Sequence, residues 1–150
     1  MADLSFVAQP AKIATGTSVK TLVQLLAAAN QRVKVKEISI SFDGTSNTAT
    51  PIYVEVVRQT SAGTITNTTT LRKVDPDFTE TLQTTCKDTA TAEPTDSGDV
   101  PMAELVHPQT GFLWQAPFAG ELKIPGGGRL GVRVTAAANV NASVRVVGEE

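Results

Sequence analysis

The sequence predicts a single all-β domain, built as a sandwich or barrel. Short runs of alternating apolar residues recur along the chain, separated by clusters of Gly, Pro, Asn, Asp and Ser. Threonine contributes 21 of the 150 residues, and its branched Cβ favours strands over helices. Hydrophobic residues make up 41% of the chain, enough for one core at a length that buries about 68–70% of the unfolded surface. Neither a linker nor a repeat of fixed period divides the sequence.

Each element has a local reason. Residues 4–7 form a first run, which Pro10 ends. Leu4, Phe6 and Ala8 alternate, so residues 1–10 read in two ways: as the first strand of the body, or as an extended N-terminal arm that detaches from it. Residues 12–15 follow, with a turn at Gly16. Segment 19–27 carries two periodicities. Ser18 as a cap with Leu22, Leu25, Leu26 and Ala29 fits a helical stripe, whereas Val19, Val23, Leu25 and Ala27 share one parity. Strands lie on both sides, and the strand reading is preferred. Residues 32–42 give the clearest strand. Val33 and Val35 are apolar at odd positions and Ile38, Ile40 and Phe42 at even ones. A regular strand cannot change its buried face, so a β-bulge is expected near Lys36-Glu37. Asp43-Gly44 reads as a turn.

Pro51 opens the next strand, with Ile52, Val54 and Val56 inward, and Thr60-Ser61-Ala62-Gly63 closes it. Residues 64–74 are Thr-rich and only weakly apolar, as an edge strand or a half-exposed strand would be. Asp75-Pro76-Asp77 breaks them, and residues 78–87 are strand-like or irregular. Residues 88–99 are polar and turn-rich and read as one long loop, a length usually associated with function or mobility. Residues 100–118 hold Met102, Leu105, Phe112, Trp114 and Phe118. Three strands close the chain at 122–124, 129–135 and 140–147, the last two read as a hairpin through Asn139. The total is about eight antiparallel strands, within the range of a jelly roll.

Composition narrows function. The net charge is −2 and only 19% of residues are charged, which argues against a nucleic-acid binder, since phosphate neutralisation needs clustered Lys and Arg. No apolar run approaches the ~18 residues of a membrane span, and Met1-Ala2-Asp3-Leu4 lacks the basic and apolar regions of a secretory leader. Cys86, the one cysteine, has no partner for an internal disulfide.

No catalytic constellation stands out. His107 is the one histidine. It precedes Pro108, and no G-x-S-x-G elbow accompanies it. One His and one Cys cannot supply a tetrahedral zinc set. Glu93, Asp96 and Asp99 have the oxygen ligands calcium takes, but not the spacing of an EF-hand loop, and a solvated acidic turn is the better reading. Gly126-Gly127-Gly128 leads into Arg129 and a strand rather than a helix N-terminus, so a tight turn is expected, not a phosphate cradle. Arg32, Lys34 and Lys36 share a face, either for an acidic partner or as the solvent face of a charged edge strand. Lys87 beside Cys86 is a thin reason for a reactive thiol. Trp114 and Tyr53 are the one Trp and the one Tyr, too few for a sugar-cleaving groove. The residues thus imply no enzyme, metal or cofactor, and a structural or binding role follows by elimination.

Several segments together carry a resemblance. They are Leu22-Val23-Gln24-Leu25-Leu26, Asn30-Gln31-Arg32-Val33-Lys34-Val35, Ser41-Phe42-Asp43-Gly44, His107-Pro108-Gln109-Thr110-Gly111 and the run from Ile124 through Pro125-Gly126-Gly127-Gly128 to Val134. From Val19 onward the chain resembles, in overall pattern rather than in any one motif, head decoration (cement) proteins of tailed bacteriophages. The resemblance implies a jelly-roll sandwich on the outer surface of the virion, made in the bacterial cytoplasm, commonly a homotrimer and bound to the major capsid protein. On that reading the arm with Leu4, Phe6 and Ala8 is the expected capsid contact. Phe112, Trp114 and Phe118, all at even positions, are the expected core or subunit interface. Residues 64–70 and 89–99 match nothing in the pattern. The alternative is a receptor- or carbohydrate-binding jelly roll of a tail or spike, with a groove around Trp114 or the loop 93–99.

Overall fold

The alternating runs become strands. A computed structural model describes residues 3–43 and 50–150, and these contain no helix. Among them the strands are β1 (Ser5–Ala8), β2 (Ile13–Ala14), β3 (Lys20–Leu26), β4 (Val33–Phe42), β5 (Ile52–Gln59), β6 (Thr64–Thr69), β7 (Arg72–Lys73), β8 (Thr85–Ala92), β9 (Met102–Val106), β10 (Phe112–Gln115), β11 (Leu122–Ile124), β12 (Arg129–Thr135) and β13 (Asn141–Glu149). They form two antiparallel sheets. The first runs β10-β4-β13-β1-β7, with β11 also on β4 and β2 also on β13; the second runs β6-β8-β3-β12-β5-β9. Phe6, Val33, Ile38, Ile40, Val144 and Val146 of the first sheet and Leu22, Leu25, Val54, Val56, Val132 and Val134 of the second enter one core cluster. The architecture is therefore a β-sandwich whose inner faces meet as alternating apolar side chains.

The strand total exceeds the expected eight in part because two pairs of short strands each share one position. β10 and β11 lie end to end along β4, opposite Glu37–Ile40 and Val33–Val35 respectively. β1 and β2 do the same along β13.

The parity flip in β4 is a bulge, as expected. Val147 of β13 faces Glu37 and the next residue, Gly148, faces Val35, so Lys36 is the extra residue. That insertion lets Val33 and Val35 on one side of it, and Ile38 and Ile40 on the other, all turn into the core. Segment 19–27 is a strand, and β6 is the edge of the second sheet, as its Thr-rich composition suggests.

Four expectations need correction. First, β12 and β13 are not a hairpin. Each is flanked on both sides by strands of its own sheet, β12 by β3 and β5, β13 by β4 and by β1 and β2, so residues 136–140 cross between sheets. Second, residues 88–92 are strand, not loop. Asp88 is buried, accepting hydrogen bonds from Thr69 Oγ1 at 2.7 Å and from Thr89 Oγ1 at 2.8 Å. The pairing of β8 with β3 stops at Asp88, and Thr89 there adopts φ 62°, an unusual conformation for a β-branched residue, as β8 peels away. Third, the N-terminal segment is the first strand of the body. Leu4, Phe6 and Ala8 are buried, β1 pairs with β13 and β7, and the Phe6 ring occupies the space that a Cβ on its neighbour Gly148 would need, 2.9 Å from the ring tip. Ala2 lies outside the described residues, as does Gly44 of the Asp43-Gly44 turn. Fourth, Phe118 does not share the face of Phe112 and Trp114. It lies beyond β10, in a turn closed by Gly120 N donating to Pro117 O at 2.8 Å, and is fully exposed.

Candidate interaction surfaces

The two sheets turn different outer faces to their surroundings. On the second sheet the outward residues of β3, β5 and β12 include Thr21, Gln24, Glu55, Gln59 and Arg133. All but Arg133 are buried, because two connections pass over them. Residues 60–63 leave β5 for β6, and the Ser61 carbonyl accepts from Gln24 Nε2 at 3.1 Å. Residues 93–101 leave β8 for β9. Glu93 accepts from the backbone N–H and the hydroxyl of Thr21 at 2.7 and 2.6 Å. The two connections are tied to each other by Thr60 N donating to Thr95 O and Thr95 N donating to Ser61 Oγ, both at 2.8 Å.

Beneath them lies a polar network. Gln59 accepts from Gln24 Nε2 at 2.7 Å and donates to Thr21 Oγ1 at 3.0 Å. Arg133 spans Glu55 at 2.9 Å and Asp96 at 2.7 Å. The Arg133 guanidinium and then the Gly98 backbone N–H hold the Asp96 carboxyl below its ordinary range. Gly131 makes room for this network, since a Cβ there would stand 2.5 Å from Gln59 Oε1.

The acidic stretch is thus neither a free loop nor a vacant cation cage. Glu93 binds Thr21, Asp96 binds Arg133, and Asp99 pairs with Arg58 at 2.8 Å. The basic face of β4 also finds its acid inside the molecule. Lys34 pairs with Glu149 at 3.0 Å, and Lys36 bonds the other oxygen of the same carboxylate. Burial pushes that carboxyl up, but the two lysines outweigh it and its net shift is downward. Glu37 beside them pairs with Arg145 and accepts from Gln115 at 3.1 Å.

The other singled-out residues have local roles. His107 Nδ1 accepts from Gln109 N at 3.2 Å and its carbonyl accepts from Gly111 N at 3.2 Å, so the ring organises the turn before β10. Cys86 is buried in the core, and burial pushes its thiol up to about 12, away from the thiolate form that reacts. Gly127 has φ 74° in the turn that enters β12, the tight-turn use expected for that glycine run. Phe112 and Trp114 pair with Ile40 and Ile38 and pack, half-buried, against the core. Trp114 therefore turns into the sandwich rather than outward as a platform for a sugar ring.

Several large apolar side chains are exposed on and near two terminal strands. β9 is the terminal strand of the second sheet and β10 that of the first, joined by the five residues 107–111. Leu105 on β9 is 69% exposed beside its cross-strand neighbour Tyr53 at 39%. Leu113 on β10, Phe118 and Val100 are exposed too. Sequence reasoning placed Leu105 in a dense apolar stretch without assigning it a surface. The available signal was that Leu105 and Tyr53 have the opposite parity to the inward Val106 and Val54. Comparison of the chain with protein-family models, with curated proteins and with solved structures returns no match.

Proposed function

We propose that this chain is a structural virion protein, a decoration protein that binds the assembled head of a tailed bacteriophage as a homotrimer and stabilises it by adhesion. The phage assignment rests on the segment resemblance, and the jelly-roll connectivity of that family belongs to the same proposal. The observation that carries a contact role is the exposed pair formed by Leu105 on the terminal strand β9 and Tyr53 on its neighbour β5. An edge strand presents unpaired backbone N–H and C=O groups, and proteins ordinarily blunt such edges with charge. β9 carries the charge of Glu104 but also the exposed Leu105, and that aliphatic side chain beside Tyr53 suits the outer face here to pack against a second copy. A trimer bridging several capsid subunits gains from simultaneous contacts, which must break together for the head to rupture.

Light scattering at micromolar concentration is expected to show a trimer, and Leu105→Asp to shift it toward monomer with the fold intact by circular dichroism. Cosedimentation with empty phage heads is expected for the native chain and weakened for Leu105→Asp. A native chain that is a stable monomer and stays in the supernatant would overturn the reading, and glycan binding without head binding would replace it with the receptor-binding alternative.

A further inference from the structure

The second sheet also carries a pocket beside the polar network, which shares Gln24 with it. The strand register builds it. Thr85 of β8, Leu26 of β3 and Arg129 of β12 stand in one row, and Lys87 of β8 and Gln24 of β3 in the next. Ala62, in the connection from β5 to β6, completes the lining, and the enclosed volume is about 110 Å³. At ~30 Å³ per water molecule that is room for a small polar group and little more.

Its charge is one-sided. Arg129 and Lys87 line it and no carboxylate does. Asp88, adjacent to Lys87 in sequence, points to the opposite face, where Thr69 holds it. The nearby acids of residues 93–99 are committed to Thr21, Arg133 and Arg58. The Nε atom of Arg129 is buried without a hydrogen-bond partner among the described residues. A buried donor on a cation is expensive to leave unsatisfied. Nε itself is closed to solvent, so a ligand in the pocket would meet the guanidinium at its terminal nitrogens, and a guanidinium fits a carboxylate in two parallel N–H···O bonds. Lys87 adds a second positive charge and Thr85 a hydroxyl, while the Gln24 amide hydrogens are already donated to Gln59 and Ser61.

We propose that this pocket is a carboxylate-binding site, with Arg129 as the principal ligand and Lys87 as the supporting charge. It is independent of the β9 flank and does not require the virion reading. A carboxylate can reach it as a free small anion or as an acidic side chain presented by another polypeptide.

The test is a titration of the full chain, labelled with nitrogen-15, read at the Arg129 Nε–H and the Gln24 side-chain amide. Sodium acetate is the first probe, with sodium chloride at equal ionic strength as control and sodium phosphate as competitor. The blocked tripeptide Gly-Glu-Gly is the second probe. Acetate is expected to give a saturable shift at both groups that chloride does not reproduce. Lys87→Ala should weaken it about two- to fivefold, as for a partly exposed charge contact. Arg129→Gln, followed at Gln24, should weaken it more than about tenfold, as for a charge-assisted hydrogen bond. Tighter binding of the tripeptide than of acetate identifies a presented side chain as the source, and binding of acetate alone identifies a free anion. A shift that does not saturate, that chloride reproduces, or that persists in Arg129→Gln would overturn the site, and preferential binding of phosphate would overturn its assignment to a carboxylate. Folding of both variants is checked by their dispersed backbone spectra.

Discussion

The two outer faces carry similar charges under different cover. On the first sheet, Lys34, Lys36 and Glu149 form one cluster and Glu37, Gln115 and Arg145 another, with the basic side chains 38–45% exposed. On the second, Arg133 joins Glu55 and Asp96 with its side chain only 18% exposed, beneath the connection 93–101. The chemistry is the same and the solvent access is not. Where water reaches one partner, as it reaches Lys34, Lys36 and Arg145 beside the far less exposed Glu149 and Glu37, it screens the attraction, and ordering the long basic side chain offsets part of it. Where water is excluded, removing one partner strands the other, and the penalty is several-fold larger. The covered face therefore ties residues 60–63 and 93–101 to the sheet, which the pairs of Lys34, Lys36 and Arg145 on the open face do for no connection.

The largest effect that would test this contrast is Arg133→Ala. It leaves Glu55, 8% exposed, and Asp96 without their cation, and is expected to cost about 3 kcal/mol, the lower end of the range for a broken buried pair because Arg133 keeps some solvent. Urea denaturation measures it. The double variant Glu55→Gln with Arg133→Met should recover much of the loss, since neutral replacement of a buried pair is often tolerated. If the double variant is as unstable as the single one, the cost lies in packing and not in stranded charge.

Gln59→Ala comes next. Its amide accepts from Gln24 and donates to Thr21, so both lose a partner beneath the same cover. A cost of about 2 kcal/mol is expected, within the 1–3 kcal/mol typical of unsatisfied buried groups. Accelerated hydrogen exchange at residues 60–63 and 93–99 should accompany it. A destabilisation with unchanged exchange there would show that the network does not hold the connections down.

Acid should loosen the covered face through Asp96. A carboxyl held below its unfolded value of about 3.9 stabilises the fold fully above that value and loses the contribution as pH falls through the lower, folded value. Arg133 and the Gly98 N–H depress Asp96 in this sense. The denaturation midpoint should be insensitive to Asp96→Asn substitution in its slope above about pH 5, and the native chain should lose more stability than the variant between about pH 4 and pH 2. Equal acid slopes for both would mean that the Arg133–Asp96 contact contributes nothing to folding.

How much of this was legible beforehand depends on what alternation encodes. Parity tells which face a residue occupies, so the core positions of β4, β5 and β12 and even the bulge at Lys36 could be read from Val33, Val35, Ile38 and Ile40. Parity does not tell which strand lies alongside, and so β12 and β13, two apolar strands close in sequence, were read as a hairpin although they belong to opposite sheets. The covered face was invisible for a different reason. Thr21, Gln24 and Gln59 occupy outward positions with polar side chains, the pattern of a solvated face, and only the paths of residues 60–63 and 93–101 bury them. Asp88 was read as loop because a charge in a Thr-rich run signals solvent, whereas Thr69 across the strand pair holds it inside. Phe118 shared parity with Phe112 and Trp114, but Pro117 ends the periodicity before it. Of the two residues on which the proposals rest, the sequence marks Leu105 only as apolar and Arg129 only as the exit from a glycine turn.

The smallest effect expected is at the open face, and it is the control on which the contrast depends. Arg145→Ala removes the cation from Glu37, whose carboxyl Gln115, and then Arg145 itself, hold below the ordinary range against the opposing effect of burial. Arg145 is 45% exposed, Gln115 still donates to Glu37 after the substitution, and water can hydrate what remains. The loss should lie between about 0 and 1 kcal/mol, as for exposed ion pairs. It should also shrink in high salt, because the Debye length falls from about 10 Å at 0.1 M to about 3 Å at 1 M and exposed charges are screened first. Denaturation of Arg145→Ala and Arg133→Ala side by side at both ionic strengths separates the two faces. The open-face difference should nearly vanish at 1 M salt while most of the covered-face difference persists, since the Arg133 and Glu55 side chains are only 18% and 11% exposed. If Arg145→Ala costs as much as Arg133→Ala, or if both fade equally with salt, cover does not set the strength of these pairs.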